Sequence, residues 1–200
     1  MEEPKQIKEI KILLLGETNV GKTSIFNRFI YNKYKKVIGS TIGVDFETKT
    51  IQYKDNSYLI RLFDTAGQER FRSISQNFYL VGEAYFIVFD LTNENSLNAI
   101  PYWINSLKEK TDNYNNIIIL GNKDDLKNQI PNEVINEQLK QFSDKIYIKT
   151  SAEKNTNIGL AFEKMIDLIN NDNNNHQINN SFNLEKKAKK KIEDNKVKCC

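Results

Sequence analysis

Residues Gly16–Thr23 read GETNVGKT and fit the pattern G-x-x-x-x-G-K-[S/T]. An apolar run at residues 10–15 precedes this stretch, and residues 24–30 follow it with apolar side chains at helical spacing. A glycine-containing loop between a buried strand and a helix is typical of a phosphate-binding loop. The alternative is a chance glycine turn, and the matching flanks on both sides argue against it.

The chemistry of a phosphate site explains these residue types. Gly21 lets the backbone approach phosphate oxygens, and the N–H groups of the loop and of the helix N-terminus supply positive potential. Lys22 offers a positive charge to the outer phosphates, and the Thr23 hydroxyl can ligate Mg²⁺. We therefore expect one nucleotide-binding segment made of Gly16, Glu17, Thr18, Asn19, Val20, Gly21, Lys22, Thr23 and Ser24.

The composition is ordinary for one soluble domain of 200 residues, with 39% hydrophobic and 28% charged residues. A formal net charge of +3 gives no reason to expect a nucleic-acid partner. No apolar run approaches the roughly 18 residues of a membrane-spanning helix, and the N-terminus lacks the layout of a signal peptide. The two cysteines are Cys199 and Cys200. We therefore expect a cytosol-facing protein whose core has no disulfide and no cysteine metal site.

Apolar runs alternate with helical patterns along the chain. Strand-like runs occur at residues 10–15, 44–53, 57–63, 84–89, 117–120 and 145–149. Helical patterns occur at residues 24–30, 96–110, 133–142 and 158–169, with a weaker one ending near residue 80. Residues 54–56 and 64–67 have the composition of turns, and residues 31–40 that of a loop. This order predicts an α/β fold with a mostly parallel six-stranded sheet, one antiparallel strand and helices on both faces.

Ligands of such sheets bind outside the carboxyl ends of the strands. Four candidate elements come directly after strands, and they begin at Gly16, Asp64, Asn122 and Thr150. Because parallel strands end at the same edge of a sheet, we expect these four elements to form one site.

The second of these elements, DTAGQE, has side chains suited to the outer phosphate. Asp64 can hold Mg²⁺, Gly67 can bring its N–H to a γ-phosphate, and Gln68 can orient an attacking water. Upstream, Thr41 can close its hydroxyl and N–H over Mg²⁺ and the γ-phosphate, a contact that hydrolysis would release. The alternatives are a polar turn with an aspartate helix cap and, for Thr41, an ordinary β-branched strand starter.

The third and fourth elements suit a purine base. The Asp124 carboxylate can accept hydrogen bonds from N1–H and the N2 amine of guanine, and adenine offers neither donor, so discrimination can reach about 10⁴. Lys123 can lay its methylene stem along the purine, and Asn122 can tie the loop to the rest of the site. Ser151 can brace its loop while the Ala152 N–H contacts the guanine O6. The alternatives are a surface turn and a helix-capping turn.

The motifs GETNVGKT, STIGVDF, DTAGQERF, GNKDDL and TSA, in this order, resemble the five guanine-nucleotide motifs of Ras-like small GTPases over about residues 8–169. STIGVDF and DTAGQERFRSI resemble the Rab family, and the final Cys-Cys is similar to the Rab prenylation signal. The resemblance implies a P-loop NTPase G domain at residues 1–169 that binds GTP or GDP with Mg²⁺ and hydrolyses GTP.

The same resemblance implies a role for each matching residue. Lys22 would bind the phosphates, and Gln68 would orient the hydrolytic water. Asp124 would read guanine, and Tyr34 would set its ring against the base edge unless it is simply another loop aromatic. The metal ligands would be Thr23, Thr41 and Asp64.

Several residues depart from the family pattern. Phe63 stands where most Rab proteins carry Trp. With Phe46 and Phe78 it would form the exposed aromatic trio that effectors recognise. The alternative is that the three rings simply pack against one another. Thr18 and Asn19 replace glycines of many relatives, and a side chain at Thr18 would slow intrinsic hydrolysis, whereas asparagine tolerates the positive φ of a glycine. No arginine in the loop before Thr41 is placed to act in cis. Intrinsic GTP hydrolysis should therefore be slow until a GTPase-activating protein (GAP) supplies an arginine, which raises the rate by about 10³ to 10⁵.

Residues 170–200 form a predicted flexible tail, because an asparagine-rich segment buries little apolar surface. Between residues 185 and 198, seven lysines stand against three acidic residues. With lipid on Cys199 and Cys200, this charge would give a second attraction to an anionic membrane surface. The alternative is an unmodified flexible tail.

The resemblance implies a monomeric switch in vesicle trafficking, on the cytoplasmic face of an intracellular membrane and cycling with the cytosol. Its implied partners are an exchange factor, a GAP and effectors at the switch regions, the prenylation machinery and a GDP-dissociation inhibitor. Two alternatives stay open: a Ras-type signalling GTPase, and a slow or non-hydrolysing nucleotide-gated scaffold suggested by Thr18 and Asn19.

Overall fold

The computed structural model describes residues 7–36, 44–65, 78–127 and 129–172. Its strands are β1 (Lys8–Leu15), β2 (Val44–Tyr53), β3 (Asn56–Thr65), β4 (Ala84–Asp90), β5 (Ile117–Asn122) and β6 (Ile146–Lys149). Its α-helices are α1 (Lys22–Tyr31), α2 (Glu94–Asn98), α3 (Ile100–Lys108), α4 (Asn132–Leu139) and α5 (158–172). Short 3₁₀ turns occur at Asp112–Asn115 and Lys140–Phe142.

The six strands form one sheet in the order β2-β3-β1-β4-β5-β6. The pairs β1–β3, β1–β4, β4–β5 and β5–β6 are parallel, whereas β2 pairs antiparallel with β3 across a hairpin. Lys54 makes the hairpin turn possible with a φ of 52°. The central strands are buried on both faces, which explains their continuous apolar runs. The predicted α/β sheet with one antiparallel strand is confirmed.

The alternation of side chains along the strands divides the core between the two faces of the sheet. On one face, Leu13, Phe63 and Ile87 belong to a buried cluster that includes Trp103 and Leu107 of α3. On the other face, the ring of Phe162 in α5 lies edge-on to Phe86 of β4 and stacks on Phe29 of α1 at a centroid distance of 3.5 Å. Helices therefore cover both faces.

Two predicted boundaries were wrong in detail. The helix expected at residues 96–110 is split into α2 and α3 at Ala99, because Pro101 has no N–H to donate to the carbonyl of Leu97 and proline fits the first turn of a helix. The turn expected to begin at Asp64 begins later. Asp64 and Thr65 still belong to β3, paired in register with Asp45 and Val44 of β2.

Contacts divide the chain into two units, Met1–Met165 and Ile166–Cys200. The first unit contains the whole sheet. The described part of the second unit, residues 166–172, is helical. None of the described helices is both long and apolar enough to cross a membrane. The domain boundary expected at residue 169 and the tail beyond it stay predictions.

Candidate nucleotide-binding site

The loop between β1 and α1 approaches its neighbours too closely for side chains at its two glycines. Gly16 and Gly21 have φ values of 138° and 97°, which residues with a Cβ rarely adopt. A Cβ on Gly16 would lie 2.1 Å from the carbonyl oxygen of Val88, and one on Gly21 would lie 2.3 Å from Nδ2 of Asn122. Asn19 in the same loop has a φ of 61°, the left-handed conformation that asparagine was expected to tolerate.

Lys22 begins α1 and turns its ammonium group back into the loop. Its Nζ donates 2.8 Å hydrogen bonds to the carbonyl oxygens of Gly16 and Glu17, and the residue is only 5% exposed. Burial lowers the pKa of Lys22 to about 8, although the carboxylates of Asp64 and Glu17 act in the opposite direction. The loop thus holds a buried, partly compensated cation at a helix N-terminus, which is a favourable place for an anion.

Thr23 and Asp64 meet at the edge of this loop. Oγ1 of Thr23 donates a 2.7 Å hydrogen bond to Oδ2 of Asp64, and Asp64 is 1% exposed at the end of β3. The hydroxyl of the next residue, Thr65, donates 2.6 Å to the carbonyl oxygen of Leu14 and so fixes β3 against β1. Hydroxyl and carboxylate oxygens are the hard ligands that Mg²⁺ takes beside substrate phosphates. The residues present therefore fit a magnesium ion.

Asn122 connects the phosphate loop to the loop after β6. Its Nδ2 donates a 2.9 Å hydrogen bond to the carbonyl oxygen of Val20. Its Oδ1 accepts hydrogen bonds from the Thr150 hydroxyl at 3.4 Å and from the Ala152 N–H at 3.3 Å. One side chain thereby joins three of the four elements that the sequence placed at this edge of the sheet.

Lys123 has a φ of 69°, and its ammonium group lies 2.6 Å from Oδ2 of Asp90, which is almost fully buried at the end of β4. The other oxygen of Asp90 accepts hydrogen bonds from the N–H and the hydroxyl of Thr92. This pairing fixes the ammonium head of Lys123 at the end of β4, and the methylene stem of a lysine can lie along the face of a purine.

The loop that follows β5, called the base loop below, contains two neighbouring aspartates that face different partners. Asp124 lies against Gln129, whose Nε2 donates to the Asp124 carbonyl oxygen at 2.9 Å and to its Oδ1 at 3.4 Å. Asp125 instead accepts a short hydrogen bond from the Ser151 hydroxyl. Because Ser151 belongs to the loop expected to contact the base, the geometry favours Asp125 over the predicted Asp124 as the carboxylate that faces the base.

Tyr34 lies beside the same loop. Burial raises the pKa of Tyr34, and so do the nearby carboxylates of Glu153 and Asp125. Tyr34, Asp125, Ser151 and Ala152 therefore border one region, which is consistent with an aromatic wall for the base.

The aromatic side chains of the predicted trio pack together. The rings of Phe46 and Phe63 are 5.5 Å apart, and those of Phe63 and Phe78 are 6.1 Å apart. Phe63 is 5% exposed, whereas Phe46 is 52% exposed. Of the two alternatives, the structure favours packing for Phe63 and an accessible surface for Phe46.

The structure brings together Lys22, Thr23, Asp64, Asn122 and Ala152. Within the phosphate loop, Thr18 and Asn19 are exposed, and Ser24 on α1 is half-buried. Thr41, Gly67 and Gln68 lie outside the described residues, and so do Cys199 and Cys200.

Sequence reasoning missed four side chains that shape the site. Asp125 had a visible signal, because it directly follows Asp124 and either carboxylate could be the one that binds the base. Asp90 ends a buried strand next to the site and could have been suspected on that ground. Arg28 and Glu153 gave no signal, since Arg28 lies on a helix and its hydrogen bonds to Ala152 and Glu153 span more than 120 residues.

The fold and the site define a P-loop nucleotide-binding protein of the α/β class. Residues 11–171 match the model of the Ras family. The chain is 36% identical to the Ras-related protein Rab-11A of Dictyostelium discoideum over 162 residues, which are 80% of this chain and 75% of that protein. It is 33% identical to Rab-3A of Homo sapiens over 162 residues, 80% of this chain and 73% of that protein.

A longer match links the chain to Rab-32D of Dictyostelium discoideum, with 34% identity over 186 residues, 88% of this chain and 82% of that protein. The chain therefore belongs to the Ras family and is a Rab-like small GTPase of the Ras superfamily.

Proposed function

We propose that this protein binds GTP and GDP with Mg²⁺, hydrolyses GTP, and acts as a membrane-anchored switch in vesicle trafficking. The observation that carries the proposal is the convergence on Asn122, whose amide bonds to the phosphate loop at Val20 and to the loop after β6 at Ala152. A ligand that spans both loops has phosphates at one end and a purine at the other.

The base end favours guanine. The Asp125 carboxylate would accept the guanine N1–H and N2 amine, and the Ser151 hydroxyl that bonds to Asp125 would hold it in place. The Ala152 N–H, whose bond to Asn122 is long at 3.3 Å, would also donate to the guanine O6. A desolvated carboxylate without these donors is unfavourable, so an adenine nucleotide should bind far more weakly.

The phosphate end uses Lys22 and the N-terminus of α1. On binding, phosphate oxygens would replace the carbonyl oxygens of Gly16 and Glu17 as acceptors for the Lys22 ammonium group. Thr23 and Asp64 would hold Mg²⁺, which would neutralise charge on the phosphates. Thr41 and the Gly67 N–H would complete the contacts to a γ-phosphate when GTP is bound.

Hydrolysis forms a bond between the oxygen of a water and the γ-phosphorus and breaks the bond to the β–γ bridging oxygen. The products are GDP and inorganic phosphate, which takes up the proton of the water. Gln68 would orient this water, and Lys22 would stabilise charge on the outer phosphates. An arginine from a GAP would supply the missing positive charge.

The base assignment is tested with Asp125→Asn and the matched variant Asp124→Asn, each measured with GDP and with xanthosine diphosphate. An asparagine amide at the reader position can donate to the xanthine O2 and loses the pairing with guanine, so affinity should move toward xanthosine diphosphate in Asp125→Asn by about 10²-fold or more. Asp124→Asn should stay within about threefold of the wild type. The reverse pattern would return the role to Asp124, and a wild-type protein without GDP affinity would refute the proposed function.

The turnover step needs its own measurement. Single-turnover release of phosphate from GTP should be slow in the wild-type protein and slower still in Gln68→Leu. Thr18 and Asn19 are exposed within the phosphate loop, so Thr18→Gly tests whether a side chain there limits the rate. Hydrolysis that is absent over many hours and independent of Gln68 would favour the nucleotide-gated scaffold instead.

The membrane role depends on the tail. Replacing Cys199 and Cys200 by serine should release the protein into the soluble fraction of cells, while neutralising three of the lysines between residues 186 and 198 should weaken membrane retention without abolishing it. Two geranylgeranyl groups found by mass spectrometry would support the Rab-type assignment, whereas one prenyl group with a palmitate would favour a Ras-type signalling role.

A further inference from the structure

Arg28 on α1 makes four hydrogen bonds that connect two separate parts of the chain. Its Nε donates to the carbonyl oxygen of Ala152 at 2.8 Å, and its Nη2 donates to the carbonyl oxygen of Glu153 at 2.9 Å. Its Nη1 reaches the carbonyl oxygen of Asn32 at 3.1 Å and the Asn32 Oδ1 at 3.3 Å. The guanidinium group therefore bridges the end of α1 and the loop after β6.

Both parts lead to the base. Ala152 carries the N–H proposed to contact the guanine O6, and the Arg28 bond to its carbonyl oxygen anchors the next peptide group and so limits the rotation of the residue. Asn32 caps the C-terminus of α1 with a φ of 52°, and Tyr34 follows two residues later. The Glu153 carboxylate lies close enough to Tyr34 to raise its pKa, and Arg28 bonds to Glu153 itself and to Asn32, two residues before Tyr34.

We propose that Arg28 is a positioning residue for the guanine base, holding the Ala152 amide at the O6 position and Tyr34 at the base edge. The proposal rests on the proposed guanine-nucleotide function and adds the residue that sets the geometry of the pocket. Arg28 itself has no role in contacting the nucleotide. It acts through the backbone of the loop, so its loss should weaken the contacts to the base more than those to the phosphates.

An arginine is required at this place by geometry. The guanidinium group presents its donors in a rigid plane, so one side chain can serve the carbonyl groups of two successive residues and a third acceptor on its own helix. A lysine at position 28 has one nitrogen on a flexible stem and can serve only part of this set. The conservative change Arg28→Lys therefore keeps the charge and removes the bridge.

The test compares dissociation rates of GDP and of 6-thioguanosine diphosphate, which keeps the N1–H and the N2 amine and carries sulfur, a weak acceptor, in place of O6. In the wild-type protein GDP should dissociate more slowly, because O6 accepts the Ala152 N–H better than sulfur does. Arg28→Lys should speed GDP dissociation by about 10-fold or more, and should speed dissociation of the analogue at least about fivefold less, since the contact to the Ala152 N–H is already weak there.

The matched control is Arg61→Lys. Arg61 forms a surface ion pair with Glu9 at 3.0 Å on β3, away from the base loop, and its replacement should leave both dissociation rates within about twofold. If Arg28→Lys does not fold with GDP, Arg28→Gln, which retains one amide donor for the loop, takes its place in the same comparison.

Equal acceleration for the two nucleotides, or none, in a folded Arg28 variant would overturn the proposal while leaving the guanine-nucleotide function intact. A wild-type protein that releases both nucleotides at the same rate would remove the O6 contact on which the positioning role depends. A wild-type protein that does not bind GDP would refute the proposed function, and this inference with it.

Discussion

The indole N–H of Trp103 lies 3.2 Å from Oε1 of Glu17 and donates a hydrogen bond to it. Trp103 is buried in α3 at 1% exposure, whereas Glu17 is the second residue of the phosphate loop. The bond ties the loop to a helix of the core, and the Glu17 carbonyl oxygen in turn accepts a hydrogen bond from Lys22. The position of the buried cation thus depends in part on α3.

Trp103→Phe should loosen the phosphate loop. Loss of a hydrogen bond to a charged group weakens an interaction by about 1.5–3 kcal/mol, so GDP should dissociate about 10-fold faster, as measured with a fluorescent GDP analogue. Glu17→Gln is the control, because an amide oxygen still accepts the indole N–H. Equal rates in Trp103→Phe and the wild type would show that the contact does not hold the loop.

The sequence predicted most of the fold because the central strands β1, β4 and β5 are apolar on both faces and end at recognisable motifs. It failed where a single residue decides a boundary, as at Pro101, which splits one expected helix into two. The site was predicted in outline from its motifs, and the choice between Asp124 and Asp125 needed the position of Ser151. The contacts of Arg28 depend on the packing of distant segments, which no local pattern encodes.

Removing Mg²⁺ should speed GDP dissociation in the wild-type protein and have much less effect in Asp64→Asn. The variant keeps an oxygen that can accept the Thr23 hydroxyl and loses the negative charge that a divalent cation requires. The measurement is the ratio of dissociation rates with excess chelator and with excess Mg²⁺, which should fall toward one. Asp45→Asn is a matched control, because Asp45 lies opposite Asp64 in the register of β2 and β3 and is exposed. A ratio unchanged in Asp64→Asn would exclude this carboxylate from the metal site.

GDP affinity should fall with rising pH above about 8. Burial lowers the pKa of Lys22 to about 8 in the nucleotide-free protein, and bound phosphate would raise it, because a nearby anion favours the charged form. Binding above pH 8 therefore requires proton uptake, which weakens affinity by up to about 10-fold per pH unit until the pKa of the complex is reached. Below pH 8 Lys22 is already charged and contributes no pH dependence.

The check is the dissociation constant for GDP between pH 6.5 and 9.5 in the wild type and in Lys22→Arg. Arginine stays charged throughout this range, so the variant should bind more weakly but without the decline above pH 8. The same decline in both proteins would assign the titration to another group.

The last prediction concerns Gly121 in β5, directly before Asn122. A Cβ on Gly121 would lie 2.8 Å from the Tyr147 hydroxyl oxygen and 3.0 Å from Cδ2 of Leu91. That hydroxyl is buried and has no hydrogen-bond partner among the residues that the structure describes, and burial raises the pKa of Tyr147 well above its usual value. Removing this oxygen would therefore eliminate a buried polar group without a partner and make room for a methyl group at residue 121.

Gly121→Ala should lower the free energy of unfolding by about 1–3 kcal/mol, because the methyl overpacks a filled site. Tyr147→Phe should be neutral or raise it by about 1 kcal/mol, because a buried hydroxyl without a partner is lost. In the double variant most of the loss from Gly121→Ala should disappear, since the closest clashing atom is absent. Urea unfolding of the GDP-bound protein measures all four members of the cycle. If the two changes in the free energy of unfolding simply add, the coupling between the residues is zero and the Tyr147 hydroxyl does not restrict residue 121.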